Sequence, residues 1–107
     1  MTTTHDESTW QTVKLVDHGT ILATRDQGEP VRKQLLETLD QRAGIEIDLN
    51  GVEVFTPSFI DEVIGKMFAI LGRERFRSQV RLHANAEDVR RLVNLVIANR
   101  ANGHESN

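Results

Sequence analysis

A single α/β domain in which helices cover a mixed sheet is the fold class this sequence predicts, and three observations carry it. Strand-like runs at residues 10–18, 45–49, 52–55 and 79–83 alternate with longer helical patterns. Right-handed crossovers turn such an order into a sheet flanked by helices. The chain has 107 residues, 38% hydrophobic and 27% charged, a composition that suits one globular core. At that length folding hides roughly two thirds of the surface the unfolded chain exposes.

The elements follow in order. Residues 1–8 and 101–107 are polar and read as flexible tails on either side of a domain at 9–100. Val13, Leu15 and Val16 mark a first strand that a turn at His18-Gly19 closes, and residues 20–23 offer a short extension beside it. Thr24-Arg25-Asp26-Gln27 has the form of a capping box, but Gly28 and Pro30 follow. Either Thr24 caps a helix distorted at Pro30, or the helix starts near Glu29. In both cases Val31, Leu35 and Leu39 share a face, and the helix ends near Gly44.

Ile45-Glu46-Ile47-Asp48-Leu49 alternates with period 2, and Asn50-Gly51 separates it from Val52-Glu53-Val54-Phe55. That spacing predicts a tight hairpin, with a simple bend as the alternative. A third helix-strand boundary follows at Thr56, after which Ile60, Val63, Ile64, Met67, Phe68 and Leu71 form an apolar stripe that Gly72 ends. An Arg-rich connection leads to the strand at 79–83. A last helix starts at Asn85 or Ala86 and carries Val89, Leu92, Val93, Val96 and Ile97 on one face.

Several function classes fall away. The longest apolar runs, such as Met67 to Leu71, are far short of the about eighteen residues of a membrane span, and the polar start at residues 1–9 has no apolar signal-peptide core. With no cysteine there is no disulfide, thiolate metal site or thiol nucleophile, which suits a reducing, cytoplasmic setting. The histidines stand at 5, 18, 83 and 104, without the i, i+4 spacing of a helical zinc site, so no metal is expected. Glycines are scattered, no phosphate loop is formed, and Ser58 lies in no nucleophile elbow. No cofactor and no catalytic residue is therefore expected.

Net charge is only −3, but its distribution is uneven. Residues 44–62 hold Glu46, Asp48, Glu53, Asp61 and Glu62 with no Lys or Arg. Residues 73–91 hold six arginines, among them the basic patch Arg73, Arg75, Arg77 and Arg81, against three acids. Phe76 is the one aromatic among them, and no nucleic-acid-binding signature accompanies them, so a solvated run or a complementary protein interface is the plainer reading. Nucleic acid or phosphate binding there, and self-association through open sheet edges, stand as rival readings.

The boundary at Thr56-Pro57-Ser58-Phe59 places hydroxyls where a helix begins. Thr56 can cap with Pro57 in the first turn, or Ser58 can cap with Asp61 three residues on. A phosphate on a hydroxyl here would meet free backbone amides and the positive end of the helix dipole.

The run from Ile47-Asp48-Leu49 through Thr56-Pro57-Ser58-Phe59 resembles the core of STAS domains, the sulfate-transporter and anti-sigma-factor-antagonist group, in which a strand leads to an Asp-Ser-Ser-Gly-type helix start. Thr24-Arg25, the Thr-Pro-Ser-Phe version and Gly65 look more like a bacterial and phage STAS-like family of unknown function, over about residues 10–97. This resemblance implies a four- to five-stranded mixed sheet flanked by helices and a non-enzymatic module that docks a protein, such as a histidine-kinase-like ATPase. It also implies that Ser58 aligns with a phosphorylated serine; Thr56, whose hydroxyl stands at the same helix start, is a second phosphorylation candidate. Thr56 falls on the Asp of the STAS pattern, Pro57 on its first Ser and Phe59 on its Gly. The partner surface expected on this basis comprises Asp48, Thr56, Pro57, Ser58, Phe59, Asp61 and Glu62.

Overall fold

The computed structural model describes residues 9–103. Its strands are β1 (Trp10–Lys14), β2 (Ile21–Leu22), β3 (Gly44–Asp48), β4 (Val54–Phe55) and β5 (Val80–His83). Its helices are α1 (Arg25–Asp40), α2, α3 (Arg73–Gln79) and α4 (Glu87–Gly103). A continuous rod of Pro57–Ile60, the π-helical turn Asp61–Gly65 and Lys66–Leu71 makes up α2. The expected tail at residues 1–8 and the last four residues lie outside the described residues, while α4 runs to Gly103, into the stretch expected as a tail.

The expected single mixed sheet of four to five strands is replaced by two parallel sheets, one of three strands in the order β1-β3-β5 and one of two, β2-β4. The sheets part at Asn50-Gly51, where the expected hairpin does not form and the chain bends instead. Leu49 still donates to the His83 carbonyl at 2.9 Å and so extends the β3-β5 ladder. Beyond it, the Asp48 carboxylate accepts from the Asn50 amide, and the Asn50 side chain accepts from the Asn85 amide at 2.8 Å. These bonds hold the turn against the end of β5, and the amides of Glu53 and Val54 both go to the Thr20 carbonyl. The second half of the expected hairpin therefore pairs with β2.

The order β1-β3-β5 makes two successive parallel crossovers in one direction, and the rule that such crossovers are right-handed puts their helices on the same face of the sheet. On that face Ile45 and Ile47 are fully enclosed, and Val13, Val80 and Leu82 join them. Thr12, Glu46, Asp48, Arg81 and His83 alternate onto the other face, where Thr12 donates to Glu46 and the Arg81 guanidinium stacks on Trp10 at 4.0 Å.

Thr24 does cap α1. Its hydroxyl accepts from the Gln27 amide while the Gln27 side chain accepts from the Thr24 amide, and Pro30 is carried inside the helix on its exposed side. Val31, Leu35 and Leu39 are buried as expected, and so are Ile60, Val63, Ile64 and Met67 on α2. Where a connection was expected, α3 forms. Buried Phe76 fastens it by an edge-to-face contact with Phe68 at 5.4 Å, an anchor that outweighs the polar character of its neighbours.

Two glycines let helices approach α2. A side-chain carbon at Gly28 would sit 3.0 Å from Glu62, and one at Gly65 would collide with the Asp61 carboxylate and crowd Val96 of α4. Both helices can therefore reach the polar side of the π-helical turn, where the charged groups meet.

Candidate functional site

At the start of α2, Thr56 acts as the cap. Its hydroxyl accepts from the Phe59 amide at 3.2 Å and donates to the Ala23 carbonyl at 2.5 Å, which ties the β4-α2 corner to the β2-α1 corner. Pro57 occupies the first helical position. Since the capping is done by Thr56, Ser58 is left exposed, and its hydroxyl has no hydrogen-bond partner among the described residues.

The next residues turn inward. Phe59 is fully buried against Phe55, with ring centroids 6.0 Å apart, and Glu62 is only 5% exposed. As direct partner contacts these two expectations are corrected, because a visitor reaches neither side chain. Asp48 lies apart at the carboxyl end of β3, on the helix-free face. The exposed or half-buried remainder of the expected surface is Thr56, Pro57, Ser58 and Asp61.

Asp61 and Glu62 anchor a six-residue charge cluster that the sequence did not disclose. Arg100 of α4 grips Asp61 with two bonds, of 2.7 and 2.8 Å, and Arg25 of α1 adds a third at 2.9 Å. Glu62 receives Arg32 at 2.6 Å, Lys66 at 3.0 Å and Arg25 at 3.3 Å, and Arg32 also donates to the Glu62 carbonyl. A buried charge survives only with such partners. Hydrogen bonds from Arg100 hold the Asp61 carboxyl below its ordinary range against the effect of burial, with Arg25 assisting. Burial pushes Glu62 up, yet bonds from Arg32, Lys66 and Arg25 together outweigh it and leave the group lowered. The Asp61 bond raises Arg25 and Arg100 in return.

Four cations thus meet two carboxylates. A shallow cleft beside them is lined by Arg25, Pro57, Ser58, Asp61, Val96 and Asn99. The only sequence signals for the cluster were the i, i+4 pair Glu62/Lys66 and the Thr24-Arg25 dipeptide. Arg32 and Arg100 arrive through tertiary packing. The outer side of the small sheet leading into this corner exposes Ile21 and Val54, which are register partners 56% and 43% exposed.

The basic patch is not one surface. Arg73, Arg75 and Arg77 project from α3, with Arg73 5.9 Å from the Phe68 ring and Arg75 bonded to Gln79. Arg81 instead lies on Trp10 across the sheet. His18 and His83 are exposed, the other two histidines lie outside the described residues, and no group able to hold a metal ion occurs among the described residues. No helix among them is long and apolar enough to cross a membrane.

A family model described as a STAS-like domain of unknown function (DUF4325) matches residues 27–90, more than half of the chain. No curated protein and no solved structure matches it.

Proposed function

The chain belongs to the family of STAS-like domains of unknown function, and on that premise we propose that it is a non-enzymatic, cytoplasmic regulatory module that docks a protein partner at the start of α2. One observation carries this reading: the Ser58 hydroxyl stands exposed at a helix start while Thr56 performs the capping. A serine needed as a cap would be unavailable; this one is free to be modified without disturbing the helix. Pro57, Ser58 and the apolar pair Ile21 and Val54 supply the accessible surface.

The partner in this reading is an ATPase of the histidine-kinase type. It transfers the γ-phosphoryl group of ATP to the Ser58 oxygen: the O–P bond to serine forms, the β–γ bridge breaks, ADP leaves and the hydroxyl proton goes to solvent. A dianion at the centre of the contact then weakens docking. The test is to mix the chain with such an ATPase encoded beside it and ATP, locate phosphate by mass spectrometry, and measure affinity by calorimetry. Ser58→Asp is expected to lower affinity by about tenfold or more, a loss of about 1.4 kcal/mol, while Ser58→Ala retains it. Equal affinity in wild type and both variants removes the switch.

A further inference from the structure

We infer that the cleft between Arg25 and Ser58 is a phosphate site, in which Arg25 receives a dianion carried on the Ser58 oxygen. The inference rests on the reading that Ser58 is modified and names the residue through which the modification is felt.

Arg25 is built for this in three respects. Its side chain is 51% exposed and lines the same cleft as Ser58. Both of its bonds to Asp61 and Glu62 leave from one nitrogen, NH1, so the NH2 and Nε donors have no partner among the described residues. A guanidinium presents its donors in a rigid fork that suits phosphate oxygens. Arg25 is also the dispensable cation of the cluster. Asp61 keeps its two bonds to Arg100, and Glu62 keeps Arg32 and Lys66, if Arg25 swings toward Ser58.

Charge agrees with geometry. The cluster holds two more cations than anions, and a phosphoserine brings about −1.5 to −2 charges. Asp61 lies three residues from Ser58 and borders the same cleft, so without Arg25 the phosphate would face a like charge along the helix.

The test installs phosphoserine at position 58 of the full chain during synthesis, so that no kinase is required. Phosphorus NMR then follows the second ionisation of the phosphate against pH. An opposite charge in contact lowers it by about one unit from its ordinary value of about 6. Arg25→Gln is expected to return it to the ordinary value or above, because Asp61 then faces the phosphate, Arg25→Lys to undo part of the lowering, and Arg75→Gln on α3 to change nothing. The same titration curve in wild type and Arg25→Gln overturns the inference. Inorganic phosphate titrated into the unmodified chain separates the two sources of the ligand. Shifts of the Arg25 side-chain signals at millimolar phosphate support the site and identify a free anion as a ligand; a response confined to the phosphoserine chain supports it and assigns the covalent source. Failure to find a kinase counts against the docking switch alone, because this readout does not depend on one.

Discussion

Around the start of α2, Arg32 and Arg100 have side chains 13% and 32% exposed, and each meets a carboxylate at 2.6–2.8 Å. On α3, by contrast, Arg73, Arg75 and Arg77 are exposed, and none forms an ion pair with a described residue. The residue type is the same in both regions, and the surroundings decide what it does. In the cluster, the enclosed carboxylates make Arg32 and Arg100 structural partners, since the acids depend on them to stay ionised. On α3, water screens the charges, and they contribute solubility or a contact surface more than stability.

The largest effect is expected from removing the enclosed acid. Glu62→Ala leaves Arg32 and Lys66 without their carboxylate and is expected to destabilise the fold by about 3–5 kcal/mol, read from urea unfolding. A loss below about 1 kcal/mol would place Glu62 with the surface charges. Next in size is Gly65→Ala, which drives a methyl group between α2 and α4 beside Asp61. It is expected to cost about 1–3 kcal/mol in the same assay, whereas alanine at Ser78 of α3 should stay within about 0.5 kcal/mol.

Acid separates the two regions in another way. Both Asp61 and Glu62 titrate below their ordinary range in the folded chain. Their stabilisation is therefore complete above the ordinary carboxylate values of about 3.9 and 4.3, and is lost as pH falls through the lower folded values. The urea midpoint should be flat near neutrality and drop below about pH 4, and Asp61→Asn should flatten part of that drop. An unaltered acid profile in the variant would detach Asp61 from the cluster's stability.

The smallest effect is expected from the triple replacement of Arg73, Arg75 and Arg77 by Gln, within about 0.5 kcal/mol for each site in calorimetry. The same variant tests the nucleic-acid alternative. Salt-sensitive retention of the wild type on DNA or RNA, abolished in the variant, would move function from the α2 corner to α3.

Much of the local architecture is legible in the sequence. The Thr24–Gln27 box, the stripe from Ile60 to Phe68 and the alternation of Ile45 and Ile47 all depend on residues within a few positions of one another, so periodicity finds them. The Asn50-Gly51 hairpin failed because a turn signal states that the chain reverses or bends, not which strand it meets afterwards. Pairing of β4 with β2 was settled by the crossover. Phe76 likewise lay in a run of charges whose pattern pointed to a connection, until contact with Phe68 supplied the anchor.

Local patterns in the chain specify an α/β order, its caps, its apolar faces and a hydroxyl at a helix start. Tertiary structure alone decided that two neighbouring acids on α2 would be enclosed by cations from α1 and α4, and that Arg25 would border the cleft of Ser58. The physical reason is range. Helix and strand patterns express interactions a turn or a pleat apart, whereas Arg25, Asp61 and Arg100 are separated by 36 and 39 positions. They meet because glycine at 28 and 65 lets two helices close on a third.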